Sequence, residues 1–280
     1  SPELQGNFDA MAALIPGLTV TSNGVSAFGL GSDANMTTLN GMSFGGGSIP
    51  RDLKTLTTFY TSPWDPARGG FSGVLTSSTV ARGKNITAHR AHVTFDSPGL
   101  QVAGPLATSY GQKFTNIQLS DTRSGAFSLD KYFYNYSIQA SQRMASVSSL
   151  LDFDANALQN AGVSADSARR LVELLQNAHI PLVFGAPSRQ RITRNVQFLE
   201  RFDRAPPALS SAVAPPPAFD LLVGASYNDS RGLGLSPTTL PATAGKTSNG
   251  GGFLQGQYLS NFGNNVAYAD ETSLGVAYAD

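Results

Sequence analysis

The chain has 280 residues, no cysteine and a formal net charge of +0, and only 14% of its residues are charged. Soluble domains usually carry about 25% charged residues, so this sequence predicts a surface of low charge. Without cysteine the chain has no disulfide or thiol chemistry, and its balanced charge gives no reason to expect a nucleic-acid partner.

No apolar run approaches the roughly 18–20 residues that a transmembrane helix needs, so a helical membrane protein is not expected. A transmembrane β-barrel stays compatible with the sequence. Its strands alternate apolar and polar residues, and their mean hydropathy is therefore near neutral. The mean hydropathy of this chain is −0.11.

The first organised stretch, residues 15–85, is rich in Gly, Ser, Thr and Asn, with short apolar pieces between turn signals. Asn23-Gly24 and Asn40-Gly41 are two-residue turn signals, because Asn and Gly tolerate the positive φ of tight hairpin turns. The stretch therefore predicts a small, turn-rich module of short strands that packs inside something larger.

Beyond residue 85 the sequence alternates with a period of two. In KYFYNYSIQAS (131–141), Tyr132, Tyr134, Tyr136 and Ile138 share one face, and polar residues dominate the other. The segments 219–228 and 273–278 alternate in the same way. Such alternation predicts strands with one apolar face. A soluble sandwich buries that face, whereas a membrane barrel turns it toward lipid, and periodicity alone leaves both arrangements open.

Connection lengths favour the barrel. We predict seven strands, at 85–95, 112–120, 126–141, 194–203, 218–228, 250–260 and 266–279. The connections between them alternate long and short, with shorter ones at 121–125, 204–217 and 261–265 and long ones at 96–111, 142–193 and 229–249. Transmembrane barrels join their strands by short periplasmic turns and long extracellular loops. Glu200 shares the apolar phase of its strand, and we expect it near the periplasmic edge.

The longest connection contains a predicted helix at about 164–178. Ser164 is a suitable N-cap residue, and Leu171, Val172, Leu174 and Leu175 form an apolar stripe at helical spacing. Two roles stay open for this helix, packing against its own loop or covering a ligand.

Residues for catalysis or metal binding do not cluster in the sequence. His89 and His92 lie three apart on a predicted strand, so they point to opposite faces and do not share a metal by local geometry. The segment LDFDAN (151–156) lacks the Gly and terminal Glu of an EF-hand loop. We therefore expect no enzyme activity, no metal site and no cofactor.

Three segments of the N-terminal stretch carry a family resemblance: 15–18 (IPGL), 29–42 (GLGSDANMTTLNGM) and 60–73 (YTSPWDPARGGFSG). In this order they resemble the plug domain of TonB-dependent outer-membrane receptors, in the carboxypeptidase-regulatory-like (Oar-like) branch. Phe28 is a departure, because many plugs carry Arg before the Gly-Leu-Gly segment. The residues that carry the resemblance are Ile15, Pro16, Gly17, Gly29, Gly31, Asn40, Gly41, Asp65, Pro66, Arg68, Gly69 and Gly70.

The resemblance implies a mainly β fragment of a longer protein: a small mixed plug domain (1–84), then antiparallel strands of a partial transmembrane β-barrel (85–280) with one loop helix. Such a receptor lies in the outer membrane of a Gram-negative-type bacterium, surrounded by lipid. It binds a scarce extracellular solute or oligomer and imports it with TonB and its inner-membrane motor complex. Trp64, Arg68 and Asn35 are candidate ligand contacts, although Trp64 is also suited to core packing.

Two other functions stay open. One is an outer-membrane adhesin or scaffold of the same fold that does not transport. The other is a soluble, β-rich binding module. Transport differs from adhesion in its dependence on TonB, and the soluble module differs from both in burying the apolar phase of its strands.

Overall fold

The computed structural model of the protein describes residues 11–21, 24–44, 49–61, 70–102, 104, 113–147, 158–159, 162–179, 190–204, 218–236, 244–261 and 269–279. Most of them lie in strands, which confirms the predicted mainly β class. The small strands are β1 (Leu18–Thr21), β2 (Gly24–Ala27), β3 (Met36–Leu39), β4 (Met42–Ser43), β5 (Thr55–Tyr60) and β6 (Leu75–Val80). The long elements are β7 (Ala88–Asp96), β8 (Phe114–Ser128), β9 (Tyr132–Ser146), helix α1 (Ala165–Asn177), β10 (Gln190–Arg204), β11 (Ala218–Leu233), β12 (Gly245–Asn261) and β13 (Ala269–Ala279).

The small strands form what we call the N-terminal module, the described residues from 11 to 81. It contains the β1–β2 hairpin and a four-stranded sheet in the order β4-β3-β6-β5, in which β3 and β6 run parallel. The predicted Asn40-Gly41 turn is confirmed, since these residues join β3 to β4 with φ of 48° and 86°. The parallel β3–β6 pairing joins segments far apart in the chain, and short-range patterns do not predict it.

The long strands form one seven-stranded antiparallel sheet in which each strand pairs with its neighbours in the sequence, from β7 at one edge to β13 at the other. The order is that of a meander. The register between β9 and β10 is continuous from Gln190↔Ser146 to Arg204↔Tyr132. The period of two predicts the strands themselves, and their antiparallel pairing is the one that the family resemblance implies.

The predicted turn at 121–125 is wrong. These residues belong to β8, where Asp121 pairs with Ala91 on one side and Ile138 on the other. The chain instead turns at residues 129–131, where Asp130 has a φ of 59°. The polar residues of 121–125 resemble a turn, but the sheet uses them as a strand because their backbone groups bond to β7 and β9.

The strict alternation of long and short connections is also wrong. The long connections predicted after the first and third strands are present, at 97–113 and 147–189, and the short turn between them lies at 129–131. However, β11 and β12 extend further than predicted, so their connection, 234–244, is shorter than the preceding one, 205–217. The polar residues at these strand ends continue the ladder, as Arg231 does by pairing with Lys246.

The predicted helix is confirmed as α1. Its N-cap is Ser164, whose Oγ accepts a hydrogen bond of 3.1 Å from the backbone N–H of Ser167, so one of the free N–H groups at the helix start is satisfied. Within the described part of the chain, no helix combines the length and apolarity needed to cross a membrane.

The two faces of the seven-stranded sheet differ. We call the face that packs against the N-terminal module the inner face. It carries the polar phase of the strands, with Asn135, Ser137, Gln197 and Gln255 all buried. Apolar inner-face residues Leu199 and Leu222 form a core with module residues, including Leu39 and Val80. The covered face of the sheet is therefore largely polar.

The opposite face, which we call the outer face, carries the apolar phase and is exposed. Its exposed side chains are Val93, Phe95, Ile117, Leu119, Phe127, Tyr132, Ile138, Val196, Phe219, Tyr227, Leu254 and Tyr258. Glu200 lies on this face as predicted, four residues before the end of β10 and opposite Tyr136 and Val223. The sheet is thus inverted relative to a soluble sandwich, in which the apolar face is buried.

Aromatic residues concentrate on the outer face near the edge that bears turn 129–131. Phe127 packs against Tyr134 with a centroid separation of 4.7 Å and against Phe202 at 5.9 Å. Phe219 and Tyr258 are cross-strand partners at the same edge. These side chains form an aromatic row across β8 to β12.

Candidate functional site

The contact between the N-terminal module and the inner face is made largely through polar groups. Gln255 Nε2 donates to the backbone oxygen of Leu39 at 3.0 Å, and Asn135 Nδ2 donates to that of Ala81 at 2.9 Å. The backbone N–H of Arg51 donates to Gln139 Oε1 at 2.9 Å. Inner-face side chains therefore bond mainly to the module's backbone, beside the apolar core that Leu199 and Leu222 form with Leu39 and Val80.

The segment that leads from the module into β7 passes close to the sheet. A Cβ on Gly83 would lie 2.6 Å from the backbone oxygen of Tyr134 and 2.7 Å from that of Gly125. Because backbone atoms do not move aside easily, only glycine fits at this position without a shift.

The central feature of the contact is a buried ion cluster of Arg201, Asp203 and Asp220, joined at its rim by Arg82. Arg201 is 3% exposed; it donates to the backbone oxygen of Val80 and, through Nη2, to Asp220 Oδ2 at 3.0 Å. Asp203 lies 3.5 Å from Arg82 Nε and 4.0 Å from Arg201 Nε. The cluster is formally neutral, with two cations and two carboxylates.

Strand pairing explains why the cluster needs its cations. Asp203 and Asp220 are direct cross-strand partners of β10 and β11, and like charges in that position repel. Both side chains are buried, so water screens the repulsion only weakly. Arg201 lies next to both carboxylates and also bonds to the end of β6, so it connects the sheet to the module.

A cavity of about 650 Å³ adjoins the cluster between β5–β6 of the module and the inner face. Its lining residues include Tyr60, Ser77, Arg82, Arg201, Asp220 and Gln257. Hydroxyl, guanidinium, carboxylate and amide groups line one part of it and Leu56 and Val80 another, which suits water or a solute with both polar and apolar groups. The described residues contain no group of three or more His, Asp or Glu that could hold a metal ion.

The predicted ligand contacts divide between described residues and others. Trp64 and Arg68 lie outside the described residues, as do Asp65, Pro66 and Gly69 of the motif. Asn35 is described, and its side chain is bonded within the module. Its Nδ2 donates to the backbone oxygen of Val25 at 2.6 Å, and its Oδ1 accepts from the backbone N–H of Val74 at 2.9 Å. These bonds indicate a structural role.

Several residues of the plug-like motif lie in tight turns. Gly17, Gly29, Gly41 and Gly70 all have positive φ, where an L side chain would be strained. Ile15 packs against the small core that includes Leu18 and Val74, Pro16 lies between Ile15 and Gly17, and Gly31 precedes the short 3₁₀ turn Ser32–Ala34. Asn40 adds a bond of its own, because its Oδ1 accepts the backbone N–H of Val80 at 2.9 Å.

The sequence analysis missed the ion cluster. Its members follow the polar phase of β10 and β11, and periodicity assigns such residues to a face without showing which of them meet. A signal was present, since Arg201 and Asp203 share a phase near the end of one strand and Asp220 lies near the start of the next. Antiparallel pairing of the two strands places them side by side.

A second charged cluster lies on the outer face, where β7 begins. His89 Nε2 and Asp121 Oδ1 are 2.5 Å apart, and Tyr136 Oη donates to Asp121 Oδ2 at 3.2 Å. Arg123 Nε is 3.5 Å from the same carboxylate. His92 lies on the opposite face, as predicted, because it pairs with inner-face Ser120. The cluster is therefore a local charge network at the edge of the apolar surface.

Comparisons with protein-family models, with curated proteins and with solved structures found no match to this chain. Its function is therefore inferred from the geometry of the sheet, the module and their contact, together with the sequence motifs.

Proposed function

We propose that the protein is a TonB-dependent outer-membrane receptor in which the N-terminal module is the plug and the seven-stranded sheet is part of the barrel wall. One observation carries the proposal: the apolar face of the sheet is exposed, and its polar face is covered by the module. Transmembrane barrels have an apolar outside and a polar inside, and this inversion distinguishes them from soluble β-sandwiches.

The extent of the exposed surface supports a lipid environment. Soluble monomers rarely expose a contiguous apolar patch larger than a few hundred Å². Here the exposed residues run across the sheet from Val93 in β7 to Leu254 in β12. The aromatic row lies along one border of this surface, where transmembrane barrels carry an aromatic girdle.

A soluble binding module accounts less well for the same features. It would need a partner to cover the outer face, while its own module covers the polar face with the buried cluster of Arg201, Asp203 and Asp220. Burying charge costs several kcal/mol per ion unless it is well paired. A soluble fold gains more by burying the apolar face, and this sheet does the reverse.

The character of the module contact is also suited to a plug that moves. Side chain-to-backbone hydrogen bonds and ion pairs hold the module around a small apolar core that includes Leu199 and Leu222, and water can replace each of the polar bonds once the contact opens. A large apolar interface would lose its hydrophobic stabilisation on exposure to water. We infer that the plug moves relative to the sheet during import, when TonB acts on it, and that the cavity beside the cluster widens for the solute.

Single-cysteine labelling tests the proposed location, because the natural chain contains no cysteine. The protein is expressed from its complete gene in a Gram-negative host, with Arg170→Cys in α1, Lys131→Cys in the short turn or Ile138→Cys on the outer face. We expect a membrane-impermeant maleimide to label Arg170→Cys on intact cells. Lys131→Cys should react only after the outer membrane is permeabilised, and Ile138→Cys only after detergent denaturation.

The labelling has a clear contrary result. If the protein fractionates with soluble proteins and Ile138→Cys reacts as fast as Arg170→Cys, the outer face is in water and the barrel proposal fails. Fractionation of the unsubstituted protein is the control for the effect of each substitution.

A second labelling experiment separates transport from adhesion. Ser77 lines the cavity, and Ser77→Cys is labelled from outside the cell in hosts with and without TonB. A receptor that moves its plug should give faster labelling in the host with TonB. Equal rates in the two hosts would favour the adhesin or scaffold.

A further inference from the structure

A third charged cluster lies on the outer face, at the edge opposite the aromatic row. Asp229 in β11 is its centre and is 3% exposed. Its Oδ2 is 3.0 Å from Arg231 Nε and 3.8 Å from Arg194 Nη1, and its Oδ1 is 3.9 Å from Lys246 Nζ. Ser248 Oγ also donates to Oδ1, at 3.0 Å. One buried carboxylate therefore holds cations from three adjacent strands.

The cluster carries more positive charge than its carboxylate neutralises. Three cations surround one anion, which leaves a formal excess of two positive charges. The cations also reach outward, since the side chains of Arg194, Arg231 and Lys246 are 43%, 48% and 58% exposed while that of Asp229 is 4% exposed. Asp229 thus fixes the position of the cations and leaves their outward sides open to another anion.

The position of the cluster indicates what that anion is attached to. Arg194 is two residues from Val196 and Asp229 is two residues from Tyr227, and both of these neighbours belong to the exposed apolar surface. The cations therefore form a charged border immediately beside that surface. A molecule with an anionic head and apolar chains matches this arrangement, because its head can contact the cations while its chains contact the apolar surface beside them.

We propose that this cluster binds the phosphate monoester headgroup of a membrane lipid whose acyl chains lie along the outer face. The proposal rests on the proposed membrane location. Guanidinium groups bind phosphate oxygens through paired N–H donors, and Gln142 Oε1 accepts from Arg194 Nε at 2.9 Å and holds that side chain in place. A free phosphate would gain nothing from the adjoining apolar surface, so the structure favours the lipid.

Lipid retention tests the proposal. The protein, expressed from its complete gene, is reconstituted in phosphatidylcholine vesicles containing a minor fraction of phosphatidic acid, or in vesicles with the same fraction of phosphatidylserine. Native mass spectrometry then counts the anionic lipids retained. A cation near a lipid headgroup contributes about fivefold to binding. We expect unsubstituted protein to retain phosphatidic acid preferentially, and the variant R194Q/R231Q/K246Q to lose roughly a hundredfold of that affinity.

Two further variants keep the result interpretable. R169Q/R170Q/K131Q removes three exposed cations away from the cluster and should retain phosphatidic acid as the unsubstituted protein does. Lys246→Gln alone, the mildest change to the cluster, should reduce retention by about fivefold and serves if the triple variant does not fold. Equal losses in the cluster and control variants would overturn the proposal.

The failure of this proposal is distinguishable from failure of the proposed function. Protein that enters the vesicles but shows no preference for phosphatidic acid overturns the lipid site alone. Protein that does not enter vesicles of any composition overturns the membrane location and the lipid site with it.

Discussion

Arg201 connects the seven-stranded sheet to the N-terminal module, and its replacement by methionine should weaken that contact strongly. Methionine retains an unbranched chain similar to the aliphatic part of arginine. It removes the charge-assisted bond to Asp220 and the bond to the backbone oxygen of Val80. It also leaves Asp203 and Asp220 buried side by side. Removing one partner of a buried ion pair costs about 3–5 kcal/mol, and we expect a loss of this size.

Chemical unfolding of the protein in lipid vesicles measures the loss, and hydrogen exchange at the Val80 amide locates it. Two controls sharpen the result. Arg169→Met removes an exposed partner of Asp166 on α1 and should leave the free energy of unfolding unchanged, because exposed ion pairs contribute little. R201M/D203N/D220N removes the buried charges together and should recover most of the stability. If Arg201→Met costs no more than Arg169→Met, the cluster does not hold the module.

Three more changes test the surfaces described above. Ala225→Arg places a charge on the outer face and should lower the free energy of unfolding in vesicles by about 2–4 kcal/mol. Ala225→Leu should be tolerated. Equal unfolding midpoints for the two variants would contradict a lipid-facing position. Leu222→Ala, at a fully buried site, should cost about 2–5 kcal/mol by urea unfolding, against about 1 kcal/mol for exposed Leu254→Ala. Gly83→Ala should cost about 1–3 kcal/mol, because the new methyl group clashes with two backbone oxygens. Its control, Gly99→Ala, has no heavy atom nearer than 4.0 Å and should have no effect. The rate of proteolysis between β6 and β7 compares the two variants.

The sequence predicted those parts of the fold that follow from local periodicity. The alternation in 131–141 identified the two faces of β9, and Ser164 with the apolar stripe after it identified α1. Asn40-Gly41 identified a turn because few residues adopt positive φ. In each case the signal and the structure it specifies lie within a few residues of each other.

The predicted strand boundaries are wrong where polar residues form part of a strand. Residues 121–125 resemble a turn by composition, but their backbone bonds to β7 and β9 decide their conformation, and those partners are distant in the sequence. For the same reason the predicted end of β11 is too early and the predicted start of β12 is too late. Arg231 and Lys246 surround a buried carboxylate, a local role that composition does not reveal.

The candidate site was the least predictable feature. The cluster of Arg201, Asp203 and Asp220 depends on the register of two strands and on a module whose β3–β6 pairing is non-local. Short sequence motifs do not show the strand register or this non-local pairing. Asn35 was likewise singled out by a motif, and the motif does not show that its amide joins Val25 to Val74 within the module.

The parallel pairing of β3 with β6 has a mechanical consequence. The backbone N–H of Val80 is bonded to Asn40, and its carbonyl is bonded to Arg201, so the end of β6 is anchored to the sheet. Tension applied from the N-terminal side reaches β3 at Met36, the opposite end of the strand pair, and loads the β3–β6 bonds in shear, all at once. The β1–β2 hairpin presents its two open ends side by side at Leu18 and Ala27, so the same tension peels it one bond at a time. We therefore expect the module to yield in a fixed order under force: the hairpin extends first, before the four-stranded sheet is pulled from the seven-stranded sheet.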